Sequence, residues 1–80
     1  MVAVTEGEVV ELVGKGFRLA RAGAPTVLAR TRIPGRRLRL QLGDRVVVYG
    51  VLDGAELWCE GVYRSERDGA RTEVEIGRDD

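Results

Sequence analysis

Residues 43–64, GDRVVVYGVLDGAELWCEGVYR, contain the pattern that decides the fold, two extended segments joined by a tight turn. Gly43-Asp44 is a turn signal, and residues 45–52 after it are the most apolar run of the chain, which favours a central strand. Asp53-Gly54 is the dipeptide typical of a two-residue hairpin turn. Residues 56–64 are therefore predicted to return beside residues 45–52 as an antiparallel hairpin.

The rest of the chain alternates extended segments with breaks in the same way. Gly14-Lys15-Gly16 is the turn of another hairpin. Arg30 and Arg32 share one face of the segment that precedes Pro34-Gly35. The extended segments predicted outside the opening stretch are residues 8–13, 17–21, 26–32, 37–42 and 72–76. Because no stretch has an apolar period of 3.6 residues, we predict an all-β fold without a long helix.

These segments are short and numerous for a chain of 80 residues. Five or six short strands punctuated by glycine are typical of a small closed or partly closed β-barrel, in which closure removes exposed strand edges. A chain of this length forms one domain. We therefore assign residues 1–76 to a single β-barrel domain and residues 77–80 to a short acidic tail.

Five motifs of this chain, in the same order, resemble motifs of oligonucleotide-binding (OB) folds. They are Gly7-Glu8-Val9-Val10-Glu11, Gly16-Phe17-Arg18-Leu19, Val27-Leu28-Ala29-Arg30, Arg36-Arg37-Leu38-Arg39-Leu40 and Gly43-Asp44-Arg45-Val46-Val47-Val48. The order is similar to that of bacterial translation initiation factor one and S1 RNA-binding domains, and the second half resembles anticodon-binding OB domains. The resemblance covers about residues 7–64. It implies a five- to six-stranded OB-like Greek-key barrel that binds polynucleotide across strands two and three.

Other features separate the chain from the initiation factor. Arg21 falls where the second strand of that factor continues apolar, and the acidic ending from Glu66 to Asp80 has no counterpart there. The Gly-x-x-Val-x-Val hairpin is also similar to the OB domains of NfeD-class proteins, which are partners of membrane proteases. That class is associated with protein contacts, so the resemblance implies two kinds of partner, nucleic acid and protein.

Charge is distributed unevenly along a chain whose net charge is zero. Residues 15–45 contain nine basic side chains and one acid, Asp44, and carry a local charge of +8. The residues on both sides of this block carry the compensating −8. A concentration of positive charge indicates a polyanion or an acidic protein surface as the partner.

The basic block coincides with the polynucleotide-binding part that the OB resemblance implies. Trp58 lies between Leu57 and Cys59, which are predicted core residues, so the alternation of a strand turns its indole outward. An outward indole is a candidate for stacking a base or for contacting a partner, and an end of the barrel could equally cover it. The residues predicted to bind nucleic acid are Lys15, Arg18, Arg30, Arg32, Arg36, Arg37, Arg39 and Trp58. We expect a small non-catalytic module for single-stranded nucleic acid, RNA rather than DNA.

The same arginines have an alternative role. Arginine on the outer face of a strand is often solvated or paired with acids, and the chain has 13 acids. The candidate partners of Arg36, Arg37 and Arg39 are Glu56, Glu60, Glu73 and Glu75. Such pairing predicts a protein-interaction or self-assembly module, for example one in which the basic middle of one copy contacts the acidic end of another.

The composition leaves little room for catalysis. The chain has no histidine and a single cysteine, Cys59, which excludes catalysis by histidine and metal sites that need histidine or several cysteines. The place of Cys59 in an alternating strand predicts a buried and unreactive thiol. We therefore predict that the protein is not an enzyme and uses no cofactor or metal.

Residues 1–5 lack the positive start of a secretory segment, and the chain lacks the run of about 20 apolar residues that a membrane span needs. A lone cysteine is compatible with a reducing compartment. We therefore predict a cytoplasmic protein without a membrane partner. Scarce thermolabile residues and abundant charge are typical of thermophile proteins.

Overall fold

The computed structural model describes residues 1–77 and contains β-strands, turns and one short 3-10 helix. The strands are β1 (Val2–Val13), β2 (Gly16–Arg21), β3 (Ala24–Arg30), β4 (Arg45–Asp53), β5 (Glu56–Ser65) and β6 (Arg71–Glu73), and the 3-10 helix is η1 (Gly35–Arg37). The all-β prediction is confirmed. The predicted acidic tail, residues 77–80, lies outside the described residues except for Gly77.

The first five strands pair in the order β3-β2-β1-β4-β5, and a further pairing of β3 with β5 closes them into a ring. The β3–β5 pair is parallel, and the other neighbours are antiparallel. Strand β1 belongs to both sides of the ring, because Val2 lies opposite Val51 of β4 and Val13 lies opposite Gly16 of β2. An irregularity between Val9 and Glu11 marks the change of partner, where a bulge bends a strand.

The interior of the ring is filled by alternate side chains of these strands. Phe17, Leu19, Val48, Leu57 and Val62 are fully buried there. Because a strand places successive side chains on opposite faces, the neighbours of these residues point outward. Each buried aliphatic side chain of this kind contributes about 1.5–3 kcal/mol relative to leaving it exposed.

The connection from β3 to β4 covers one end of the ring. Leu38 and Leu40 from this connection are buried in the same core cluster as the strand residues. Gly35 of η1 is buried against the hairpin end of β1 and β2, where an added Cβ would lie within 2.5 Å of the Val13 carbonyl oxygen and closer still to that of Gly16. Only glycine allows this approach, so η1 is held directly on the β1–β2 turn.

Four predicted segments differ from the structure. The segment predicted at residues 8–13 is longer, since β1 begins at Val2. The extended segment predicted at residues 37–42 is wrong, since Arg37 ends η1 and the residues after it pair with no strand. The alternation of Leu38 and Leu40 is real, but it arises because these side chains close the end of the ring. The segment predicted at 26–32 ends at Arg30, so Arg32 does not share a strand face with it.

The segment predicted at 72–76 forms a ladder only at β6, residues 71–73. Val74 and Ile76 are nevertheless buried in the core cluster. The Val74 amide donates to the carbonyl of Val62 at 2.9 Å, which fixes this segment against β5. Within residues 1–77 no helix is long and apolar enough to cross a membrane.

Candidate binding surfaces

One end of the ring brings together residues that are far apart in the chain. Gly16, at the start of β2, lies opposite Arg30 of β3, and Arg30 lies beside Trp58 of β5. The Thr31 amide donates to the carbonyl of Lys15 at 3.3 Å. The backbone therefore places Arg30 and Trp58 on neighbouring strands, with Lys15 in the β1–β2 turn at the same end.

The helix η1 adds two further arginines to this end. Its Gly35 packs against the β1–β2 hairpin, and Arg36 lines a groove with Leu12, Gly14 and Pro34. Arg37 is the next residue of η1 and is exposed. We call the surface formed by Lys15, Arg30, Arg32, Arg36, Arg37 and Trp58 the basic end.

Trp58 is the aromatic platform of the basic end. Its side chain is 49% exposed, as the alternation of Leu57 and Cys59 predicts. The guanidinium carbon of Arg30 lies 4.7 Å from the centroid of the indole ring, a cation–π contact worth about 0.5–1 kcal/mol at an exposed site. Arg30 Nη1 also donates to Glu56 Oε1 at 3.0 Å. The guanidinium is therefore held by two contacts, one with the indole and one with the Glu56 carboxylate.

A groove runs beside this platform. It is lined by Arg30, Thr31, Arg32, Trp58, Cys59 and Glu60. Thr31 is buried and its hydroxyl donates to the carbonyl of Ile33 at 2.8 Å, which fixes the chain as it leaves β3. The lining of the groove therefore combines a hydrogen-bonded backbone segment at Thr31 with the side chains of Arg30, Arg32 and Trp58.

Glutamates pair with some arginines of the predicted interface. Arg18 Nε donates to Glu11 Oε1 at 2.8 Å across the β1–β2 pair, and Arg30 is paired with Glu56. Each of these exposed pairs is worth about 0–1 kcal/mol. Pairing of arginines with acids, the alternative role considered from the sequence, is thus found on β2 and β3. These are the strands to which the OB resemblance assigns the binding of polynucleotide.

The predicted interface residues that lack an acidic partner lie outside β2 and β3. Among residues 1–77, no ion pair involves Lys15, Arg36, Arg37 or Arg39. The bridges considered from sequence between Arg36, Arg37 or Arg39 and Glu56, Glu60, Glu73 or Glu75 are therefore absent from that range. These four cations lie on the β1–β2 turn and on the connection from β3 to β4, and Arg21, Arg67 and Arg71 likewise have no ion pair within residues 1–77.

The structure separates two predicted residues from the basic end. Arg18 is on the middle of β2 and is engaged by Glu11. Arg39 follows η1, and its carbonyl accepts a hydrogen bond from Arg64 Nη1 at 3.0 Å, near the end of β5. Of the other six predicted residues, Arg30, Arg32 and Trp58 line one groove and Arg36 lines another, while Lys15 and Arg37 lie in the β1–β2 turn and in η1, which packs on that turn.

A second surface was not identified from the sequence. Val2 of β1 lies opposite Val51 of β4, which lies opposite Trp58 of β5, and Val4 lies opposite Tyr49. All five of these side chains point away from the core and are exposed. We call Val2, Val4, Tyr49, Val51 and Trp58 the apolar face. In the sequence this face is indicated by apolar residues at alternate positions, 2 and 4 in β1 and 49 and 51 in β4. These positions lie on the strand face opposite the core residues.

Among residues 1–77, the local environment shifts the pKa of Cys59 and of Glu66. Burial raises the pKa of the Cys59 thiol from 9.0 to about 12, so the thiolate is disfavoured. Hydrogen bonds from Arg64 and Thr72 lower the pKa of the Glu66 carboxyl. Within the described residues no group of three or more His, Cys, Asp or Glu side chains is placed to hold a metal ion.

Comparison of the chain with protein-family models, with curated proteins and with solved structures finds no match.

Proposed function

We propose that the ring is an OB-type barrel and that the protein is a non-catalytic module that binds single-stranded nucleic acid at the basic end. The spatial order β4-β1-β2-β3 supports the fold proposal, since a Greek key returns its fourth strand beside the first. The five-stranded ring also agrees with the strand number of an OB barrel. The preference for RNA over DNA rests on the resemblance to S1-type domains.

The observation that carries the proposal is the exposed indole of Trp58 at the same end of the ring as the unpaired cations Lys15, Arg36 and Arg37. Binding of single strands combines aromatic platforms, worth about 1–3 kcal/mol per base, with a positive groove that follows the backbone. At the basic end the indole supplies the platform, and Lys15, Arg36 and Arg37 supply charge without an acidic partner among residues 1–77. A base stacked on Trp58 places the adjoining phosphates toward these cations.

The site proposed here is narrower than the one expected from sequence. Arg18 is neutralised by Glu11, and Arg39 lies near Arg64 instead of near Trp58. Polynucleotide would therefore run across the closed end of the ring, from the groove beside Trp58 toward η1. The outer face of β2 contributes little to this path.

The test is a titration of a labelled twelve-nucleotide oligouridine with the protein, followed by fluorescence anisotropy between about 20 and 150 mM salt. We expect the logarithm of the binding constant to fall with the logarithm of salt by about 0.7 for each phosphate neutralised. Lys15→Glu, Arg36→Glu and Arg37→Glu combined should abolish binding. No binding by the wild-type chain at ~50 mM salt would remove the proposal.

A matched control separates a defined site from general attraction. Arg39, Arg67 and Arg71 are exposed and have no ion pair within residues 1–77. Reversing all three changes the net charge as much as reversing Lys15, Arg36 and Arg37, but away from the basic end. An equal loss of affinity in both triple variants would show attraction without a site.

A further inference from the structure

The apolar face is a second surface that shares only Trp58 with the basic end, since Trp58 lies between Arg30 of β3 and Val51 of β4. Val2 and Val4 are 83% and 64% exposed, and Tyr49, Val51 and Trp58 are 37%, 38% and 49% exposed. These side chains are adjacent in the register of β1, β4 and β5. Together they expose about 500 Å² of largely apolar surface, comparable with the largest patch on a typical monomer. Patches of this size mark contact sites more often than isolated apolar residues do.

None of the five side chains of the face is charged, and the guanidinium of Arg30, which pairs with Glu56, lies over the Trp58 indole at one edge. The border of the face on one side is the pair between Arg45 and Glu6, with 3.6 Å between the two groups, and on other sides are Asp53 and Glu60. An apolar, partly aromatic centre with a polar rim is the usual anatomy of a protein interface. The border offers no excess of cations, which an anionic membrane surface would require.

We propose that the apolar face is the interface of a homodimer, in which two copies of the chain pack these faces together about a two-fold axis. A two-fold axis brings the same patch of each copy together, so a charged patch would repel its own copy, whereas an uncharged apolar patch is compatible with itself. The rings of Tyr49 and Trp58 then lie between aliphatic side chains of both copies. This goes beyond the nucleic-acid proposal and differs from a contact between basic and acidic segments.

The area agrees with a dimer that forms at moderate concentration. Two faces of this size bury roughly 1,000–1,300 Å² in total when Met1 is included, which is near the lower limit for specific interfaces. We therefore expect dissociation in the micromolar range or somewhat above it. A small domain buries only about 60–65% of the surface of its unfolded chain, so association adds to its stability.

The experiment is sedimentation equilibrium of the full chain between about 1 and 500 μM, at low and high salt. We expect the mass to rise from 8.8 kDa toward twice that value, with equal or stronger association at high salt because apolar burial is not screened. The single tryptophan reports the same event, since burial of Trp58 should shift its emission to shorter wavelength. A monomer across this range, or dissociation caused by salt, would overturn the proposal.

Two lysine variants locate the interface. Val51→Lys places a charge in the middle of the apolar face of both copies and should raise the dissociation constant by at least about tenfold. Val10→Lys is the matched control, because Val10 is a strand valine of similar exposure, 43%, outside the face. Circular dichroism checks that both variants fold. If Val10→Lys weakened the dimer as much as Val51→Lys, the interface would lie elsewhere.

The dimer and the nucleic-acid site can fail separately. Val51→Lys leaves Lys15, Arg36 and Arg37 unchanged, adds a cation opposite Trp58 and keeps the indole exposed by weakening the dimer, so oligouridine binding should persist or strengthen in that variant. A wild-type chain that binds oligouridine but stays monomeric would remove only the dimer. Because dimerisation covers Trp58, a wild-type dimer whose Val51→Lys monomer also lacks affinity for oligouridine would remove only the nucleic-acid site.

Discussion

Replacing Glu56 with glutamine should strengthen the binding of single-stranded RNA. Glu56 is the acid that neutralises Arg30 at the basic end, at 3.0 Å. Glutamine keeps a hydrogen-bond acceptor of the same length, so Arg30 stays over the indole of Trp58. The variant therefore releases one positive charge next to the platform and leaves the geometry in place.

The magnitude follows from the exposure of the pair. The Arg30 and Glu56 side chains are 36% and 39% exposed, so their interaction is close to the value for water, about 1 kcal/mol at 4 Å. Making this charge available to a phosphate should raise the affinity about fivefold at low salt. The salt slope should become steeper by about 0.7, the value for one more phosphate on a single strand. The cost to folding is within about 1 kcal/mol.

The control for this variant is Glu11→Gln, measured with the same oligouridine and the same anisotropy assay. Glu11 pairs with Arg18 at 2.8 Å on the middle of β2, outside the basic end. Both variants raise the net charge by one. We expect a clear gain for Glu56→Gln and a change below twofold for Glu11→Gln. Equal gains, or no gain for Glu56→Gln, would refute the assignment of the site.

Three further predictions follow. Trp58→Ala should lower oligouridine affinity by about 5- to 150-fold, the cost of one stacked base, whereas Trp58→Phe should keep most of it in the same assay. Gly35→Ala should lower the free energy of unfolding by about 1–3 kcal/mol in urea because its Cβ meets backbone carbonyls, while Gly14→Ala, with open space around its Cβ, should change it little. Cys59 should resist iodoacetamide at pH 8 in the folded state. Because burial raises its pKa from 9.0 to about 12, its contribution to stability is complete below pH 9 and is lost between pH 9 and 12; Cys59→Ala should remove this part of the pH dependence in urea unfolding.

Local sequence patterns were sufficient to predict that the hairpins form. The turn between β4 and β5 consists of Gly54 and Ala55, one residue beyond the predicted Asp53-Gly54 dipeptide, and alternation correctly placed Phe17 and Leu57 inside and Trp58 outside. These features depend on neighbouring residues only. The connection from β3 to β4 failed because alternating leucines, Leu38 and Leu40, have the same pattern in a strand and in a segment that covers the end of a ring.

The composition of the site depended on contacts between distant segments. Arg18 meets Glu11 because an irregularity shifts the register of β1 against β2, and no local pattern specifies that shift. The parallel pairing of β3 with β5 sets Arg30 beside Trp58 and is likewise non-local. The basic block was evident from the sequence, but its division into paired and unpaired arginines required the register.

The most direct test of the basic end is an amide chemical-shift titration of the ¹⁵N-labelled chain with oligouridine at about 50 mM salt. If oligouridine binds at the basic end, the largest shifts fall at residues 14–16, 30–32 and 35–37 and at the indole N–H of Trp58. Residues 67–71, which also carry exposed arginines, should remain unchanged. Shifts centred on residues 67–71, or no shifts at saturating oligouridine, would contradict the proposal that single-stranded nucleic acid binds at the basic end.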